Sequence, residues 1–285
     1  NLDEILPLGW GIFGWINRFI FIPVFGFIAG IGVGYGMAIV LFTILVRIVM
    51  SPVTYKSYLS QAKMKVLRPE ITELNEKFKD NPMKKQQETM KLYSKAGVNP
   101  MAGCLPALMQ MPIFYALFQF FPSMFDLRQK SFLWADDLSS YDSIYQLPFH
   151  IPFYGSHVSL FPILASVAIF FYMKMTTGDQ AMSAPPQEGM PDMGKIMKIM
   201  IYISPVMMLF FFNNYASGLS LYYFISNLIT IGIMLVIKNY IVKDDKIHAK
   251  IQENKTKEKK ESKFQKKKRE MMEQEEEQKA QQKKK

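Results

Sequence analysis

The sequence predicts an all-α polytopic membrane protein, and three observations lead there. Apolar and charged blocks alternate along the 285 residues, so that 49% hydrophobic residues and a net charge of +10 average to a mean hydropathy near zero. Five apolar blocks, at residues 27–51, 101–125, 158–174, 195–213 and 218–242, reach or approach the length a helix needs to cross a hydrocarbon core of about 30 Å, roughly 17–25 residues. None of them alternates with period 2 as barrel strands do, and only helices and closed barrels satisfy their backbone groups in lipid.

Residues 1–24 come first. The stretch LDEILPLGWGIFGWINRFIFIP mixes Trp10, Phe13, Trp15 and Phe19 with Asp3, Glu4, Asn17 and Arg18, and Pro23 closes it. It reads as an amphipathic helix in the outer interface, its rings at headgroup level. Glycine and charge interrupt it too often for a sixth span. The chain begins at Asn1 rather than methionine, so upstream elements are expected.

The first span, 27–51, opens with Gly26, Gly30 and Gly34 every fourth residue, a spacing that lets a neighbouring helix approach closely. A nucleotide-binding loop is excluded there, because no strand precedes the glycines. Near its end, LFTILVRIVMSP places Arg47 inside an apolar run. A charge at a helix centre costs about 2.5–3.5 kcal/mol on insertion scales, so Arg47 needs either an escape to water or a use. Four residues before Ser51 and Pro52, it is close enough to the cytoplasmic face to snorkel to phosphates; the residues alone leave both readings open.

Residues 52–100 carry Lys56, Lys63, Lys65, Arg68, Lys77, Lys79, Lys84, Lys85, Lys91 and Lys95, and are therefore cytoplasmic. Tyr55, Leu59, Ala62 and Val66, then Ile71, Leu74 and Phe78, keep helical spacing, with a break at Asp80, Asn81 and Pro82. Met83, Met90 and Tyr93 offer a narrow stripe on the second arm. The expectation is an antiparallel hairpin held mainly by its own seam and mobile at its base.

The second span, 101–125, holds Pro106, Pro112 and Pro122 with Gln110 and Gln119. Prolines persist in membrane helices where neighbours or water take up the freed carbonyls. Residues 126–157 form an outer loop, 158–174 the third span, and 175–194, containing SAPPQEGMPDMGK, a flexible cytoplasmic connector. The fourth span, 195–213, carries Pro205 and turns outside through NNYASG into the fifth, 218–242, which holds Ser220, Tyr222, Tyr223, Ser226, Asn227 and Thr230. Singly such groups are helix-to-helix glue; together with Thr43 and Arg47 they favour a hydrated interior face. The tail, 243–285, is basic and low in complexity, which predicts disorder or a solvated helix. All loops agree on one topology, with the N-terminus outside and the C-terminus in the cytoplasm.

Several chemistries lack their residues. There is no Walker phosphate loop. His150, His157 and His248 form no ligand pair at helical spacing, and the single Cys104 allows no intrachain disulfide, so neither a metal nor another cofactor is implied. Gly218, Leu219 and Ser220 stop short of a serine nucleophile motif, since residue 222 is tyrosine. No internal repeat points to a transporter. The chain is not read as an enzyme.

Four segments in order, FTILVRIVMSP, AKMKVLRPEI, VNPMAGCLPALMQMPIF and SGLSLYYFISNLIT, resemble the YidC/Oxa/Alb family of membrane protein insertases in its bacterial form, over most of residues 40–240. In Gram-negative relatives this core follows an extra N-terminal span and a large periplasmic domain. The resemblance implies five spans enclosing a hydrophilic groove, open to cytoplasm and lipid and closed outside, in the bacterial inner membrane. It puts Arg47 in the groove, with Thr43, Gln110, Pro112, Tyr222, Tyr223 and Asn227 at or near the path of the client. Implied partners are client membrane proteins and the bilayer, with the Sec translocon, the signal recognition particle receptor and the ribosome meeting the hairpin and basic tail; a monomer is expected to suffice. Basic hairpin and tail alternatively serve only to enforce topology. A membrane assembly scaffold and a channel or transporter are the competing classes.

Overall fold

The computed structural model describes residues 11–79, 81–99, 105–177, 193–241, 247, 249 and 251–254. Residues 1–10 of the expected interfacial helix, 101–104 at the start of the second span, most of the 175–194 connector and the tail from 255 lie outside the described residues.

Helix dominates. Helix α1 (Ile12–Ile16), a π-turn (Asn17–Phe21) and α2 (Ile22–Gly30) run on without a break, with Pro23 in the first turn of α2, where its missing N–H costs nothing. The chain turns instead at residues 31–34, where Gly32 and Gly34 take φ of +87° and +78°. The boundary expected at residues 24–27 therefore moves downstream, and the span begins at Tyr35. The spacing of Gly26, Gly30 and Gly34 makes no close contact, since a Cβ on any of them would meet nothing within 4 Å. Close approach occurs elsewhere. A Cβ on Gly36 would lie 2.0 Å from the Phe132 ring, and one on Gly218 would lie 2.9 Å from Leu138 O.

Helix α3 (Tyr35–Lys77) carries both the span and the first hairpin arm through 43 residues, Pro52 and Pro69 included. A helix residue donates to the carbonyl four back, so Pro52 frees Ile48 O; Ser51 Oγ donates to it at 2.7 Å. Pro122 in α5 (Leu105–Ser123) frees Phe118 O in the same way, and Tyr215 Oη donates to it at 2.6 Å. At these two gaps a hydroxyl takes up the carbonyl that proline frees.

Helices α6 (Leu160–Thr177), α7 (Met193–Asn213) and α8 (Ser217–Val236, extended by a π-turn at Ile237–Ile241) complete the bundle, α8 packing on both α3 and α6. Phe13–Gly30, Tyr35–Lys77 and Ser217–Tyr240 are long and apolar enough to cross a membrane; Leu160–Thr176 and Lys198–Asn213 are shorter apolar helices. Phe21, Phe25, Phe42, Phe120, Phe121 and Tyr222 form the aromatic centre of the core. Edge-to-face pairs such as Phe21–Phe42, at 5.3 Å, hold it in a setting where packing rather than water exclusion joins helices.

The loop between α5 and α6 is built, not slack. A 3-10 turn (Phe125–Leu127) leads to an antiparallel pair, β1 (Tyr145–Ile151) and β2 (Gly155–Val158). Asp142 Oδ2 accepts from Trp134 Nε1 and from the N–H groups of Leu160 and Phe161, capping α6. Asn213, fully buried, accepts from Ser159 N through Oδ1 and donates from Nδ2 to Tyr154 O and His157 O. The loop is thereby tied to the α7–α8 turn, and Ser217 N and Gly218 N donate back to Ser140 O and Leu138 O.

The hairpin arms are α3 beyond the membrane and α4 (Pro82–Ala96). Asn81 Oδ1 caps α4 by accepting from Lys84 N, and Gly97, at φ +68°, ends it. The buried seam is Met64, Leu67 and Ile71 against Tyr93, Ala96 and Val98, whereas Tyr55 and Met90 face out. Burial pushes the Tyr93 hydroxyl up. Two expectations change here. Residues 247, 249 and 251–254 are helical, and Ile247 and Ile251, 3% and 2% exposed, join the hairpin seam together with Ile237. Asn254 Nδ2 donates to Ala96 O, one of the orphan carbonyls at the end of α4. The start of the tail is thus structured, and the hairpin is clamped at its base rather than held by its own seam alone. The reason is an Ile pair at i, i+4 in an otherwise charged stretch.

Candidate functional site

Three helices converge on Arg47. Twelve residues past Tyr35, at ~1.5 Å of rise each, it lies about 18 Å along α3. Its guanidinium turns into the bundle: Nε donates to Ser226 Oγ of α8, and Nη2 to Gln110 Oε1 of α5 at 3.1 Å. Gln110 Nε2 in turn donates to Tyr223 Oη at 3.1 Å. Among the described residues no carboxylate forms an ion pair with Arg47. A half-buried cation is thus held only by neutral side chains.

The local sequence explains the arrangement. Tyr223, Ser226, Asn227 and Thr230 follow one another at helical spacing on α8, the face that packs on α3 and α6. Asn227 Nδ2 donates to Tyr223 O and Thr230 Oγ1 to Ser226 O, so these two side chains are satisfied by their own helix. That leaves the Ser226 and Tyr223 oxygens to Arg47 and Gln110.

Of the residues expected at the groove, Arg47, Gln110 and Tyr223 are bonded into one chain, and Asn227 flanks them one turn along α8. Thr43 and Tyr222 sit beside the cluster but are fully buried. Thr43 Oγ1 donates to Ile39 O, and the Tyr222 ring lies 6.4 Å from Phe42, in the aromatic core. Pro112, half-buried in α5, brings no polar group to the cluster. Ser226 is the functional side chain missing from the expected set. Its signal was its position three residues after Tyr223, on the same face.

Two turns beyond Arg47 a small cleft opens between α3, α6 and α8, lined by Thr54, Ser57, Tyr58, Gln61, Tyr172 and Thr176. On the other side of Arg47 there is only packed core, with Phe42, Phe120 and Tyr222 and then the Asn213 ties. No group of three or more His, Cys, Asp or Glu able to hold a metal ion exists among the described residues.

Comparison with known proteins identifies the family. The family model described as 60Kd inner membrane protein matches residues 27–246. A protein of Parabacteroides distasonis named membrane protein insertase YidC is 48% identical over 272 residues, 93% of this chain and 42% of that protein. Proteins of the same name from Bacteroides fragilis and Amoebophilus asiaticus are 49% and 44% identical, over 84% and 93% of this chain and 38% and 43% of their own lengths. The chain spans about two fifths of the curated relatives it matches. With three quarters of its residues inside the family model, the chain belongs to the 60Kd inner membrane protein family.

Proposed function

We propose that this chain is the membrane-embedded part of an insertase, which passes the outer segment and apolar helix of a client membrane protein into the bilayer without covalent chemistry. The observation that carries the reading is the Arg47 cluster, a cation held in the bundle by neutral side chains, with a small cleft that includes Thr54, Ser57 and Gln61 two turns along α3 toward the hairpin. The reading has five spans in the bacterial inner membrane, formed by α3, α5, α6, α7 and α8, with the hairpin and C-terminus in the cytoplasm.

The physics follows from the cost of crossing lipid. Each charged client residue faces a barrier of a few kcal/mol or more in hydrocarbon. A polar groove reaching partway across shortens that path. Arg47 attracts acidic client residues, because a guanidinium of low hydration makes strong bidentate bonds to carboxylates, and Ser226 and Gln110 release it at the cost of neutral hydrogen bonds. A potential positive outside adds about 2.3 kcal/mol per client charge per 100 mV. Burial of the client helix in lipid completes the step. The clamped basic hairpin is the docking place we assign to delivery machinery, whether signal recognition particle receptor, Sec translocon or ribosome.

The test is protease protection of a single-span client with an acidic outer segment in ATP-free proteoliposomes. Wild type is expected to insert it, Arg47→Ala to lose most of that activity while remaining folded, and Arg47→Lys to retain part. Equal insertion by wild type and Arg47→Ala would remove Arg47 from the mechanism. Failure of all three would leave a scaffold that receives clients already inserted.

A further inference from the structure

The β1–β2 pair exposes three large aromatic side chains, Tyr145, Phe149 and Phe153. Tyr145, Leu147, Phe149 and Ile151 alternate with Gln146, Pro148 and His150. Gln146 pairs in register with His157, whose ring is buried, stacked 4.0 Å from Tyr141, with Nε2 2.8 Å from Asn213 O. Gln146, Pro148 and His150 are nevertheless exposed, and so are Tyr145 and Phe149, at 62% and 60%, while Leu147 and Ile151 are half-buried. At the tip, Tyr154 N donates to Ile151 O across a turn with Pro152 second and Phe153 third. Phe153 has φ of +66° and is 91% exposed.

That residue is unfavourable twice over in water. The third position of such a turn, when φ is positive, ordinarily takes glycine or asparagine, and a bulky side chain there is strained. Its ring meets almost nothing of the protein. Yet the backbone beneath is firmly placed: Asn213 and Asn214 both donate to Tyr154 O at 2.8 Å, and the Tyr154 ring meets Phe210 edge-on at 5.3 Å. Phe210 is the last of an exposed apolar row on α7 that includes Tyr202, Ile203, Val206 and Met207. The tip therefore sits at the end of α7, where that row of exposed apolar residues ends.

From this exposure and placement we infer that the β1–β2 hairpin is an outer-leaflet anchor, with Phe153 inserted among lipid headgroups and acyl-chain ends and Phe149 and Tyr145 lying at the interface. Aromatic rings favour that depth. The anchor holds the loop against the membrane beside α7, the helix it is tied to through Asn213. This inference rests on the topology proposed above, which puts residues 126–157 outside.

The test uses the full chain with Cys104 replaced by serine and a single cysteine introduced as Phe153→Cys, labelled with an environment-sensitive nitrobenzoxadiazole dye in phosphatidylethanolamine–phosphatidylglycerol vesicles. The expected result is blue-shifted emission, loss of about half of it to a nitroxide carried on lipid headgroups, and little loss to aqueous iodide. Emission typical of water with strong iodide quenching overturns the anchor. Shielding from both quenchers also overturns it, in favour of a protein partner. A second variant, Phe153→Asn, suits the positive φ while removing the ring; it should match or exceed wild type in thermal stability in detergent but fall below it in vesicles, and equal behaviour in both overturns the inference. Topology is read separately. Ser156→Cys should react with a membrane-impermeant maleimide added outside spheroplasts, and failure there sinks the topology and the anchor with it, whereas reaction combined with an aqueous Phe153 label sinks the anchor alone.

Discussion

The two ends of the bundle use polar residues in opposite ways. Toward the outer loop, Asn213, Asp142, Ser159 and Ser217 bond chiefly to backbone groups, fixing a loop and a turn in one shape. Toward the hairpin, Arg47, Gln110, Ser226 and Tyr223 bond to each other's side chains. A backbone partner left behind in a packed interior has nowhere else to turn, so the first kind of bond is costly to break. A side-chain partner can rotate to another donor or to water, so the second kind can be exchanged. What distinguishes architecture from site here is the partner, not the polarity of the residue.

Removing Asn213 should break that contrast most severely. Asn213→Ala deletes bonds to Ser159 N, Tyr154 O and His157 O; Tyr154 O keeps its bond from Asn214 Nδ2, and the two other buried backbone groups lose this partner at about 1–3 kcal/mol each. A loss of roughly 2 kcal/mol or more is expected, read as survival of the folded peak in size-exclusion chromatography after heating in detergent. Arg47→Ala, which removes bonds only to side chains, should melt close to wild type. If the two variants melt alike, the distinction between the ends is lost.

Next in size is the clamp on the hairpin. Replacing both Ile247 and Ile251 with alanine empties buried space against Leu67, Ile71 and Tyr93, at about 2–5 kcal/mol for each fully packed site. The effect should be local: hydrogen exchange in residues 57–98 should quicken while that of α8 near Ser226 stays slow. Unchanged exchange in the hairpin would mean its own seam suffices, as its sequence alone had suggested.

These cases mark how far the sequence could be read. The apolar blocks and the break before Pro82 were legible, because helical period is a local signal, whereas the residues alone left Arg47 between snorkelling and a groove, and only the family resemblance grouped it with Gln110 and Tyr223. Gly26, Gly30 and Gly34 misled, since spacing says that a helix could approach but not which one does; Gly36 and Gly218 carry the close contacts without any repeat. Thr43 and Tyr222 lie beside the cluster and are fully buried, the Tyr222 ring at the edge of the aromatic core, a depth that helical spacing alone does not give. The Ile247–Ile251 pair was hidden by average composition, its two residues outweighed by charge.

A smaller effect tests the proline gaps. Tyr215→Phe keeps the ring stacked 4.3 Å from Phe118 but removes the donor to the carbonyl that Pro122 frees. The expected cost is about 1–3 kcal/mol, the desolvation penalty of one unsatisfied acceptor, seen as a modest drop in thermal stability with insertion activity preserved at low temperature. A neutral outcome would mean that water reaches this carbonyl, and the outer end is less closed than its packing indicates.

The smallest effect lies on the hairpin surface, where exchangeable bonds should matter least. Lys91 Nζ donates to Glu88 Oε1 at 2.8 Å, and this bond, with the charge of the neighbouring lysines, holds the Glu88 carboxyl below its ordinary 4.5. A depressed folded value means the carboxylate form is favoured by folding. Its contribution is therefore complete above pH 4.5 and declines as the pH falls through the folded value. Exposed pairs of this kind contribute little, so Glu88→Gln should leave hairpin exchange at neutral pH nearly unchanged. Below pH 4.5 wild type should drift toward the variant, while the variant itself does not respond through this residue. Should the variant instead lose its hairpin at neutral pH, a surface pair would be holding the arm that Ile247 and Ile251 are here argued to clamp.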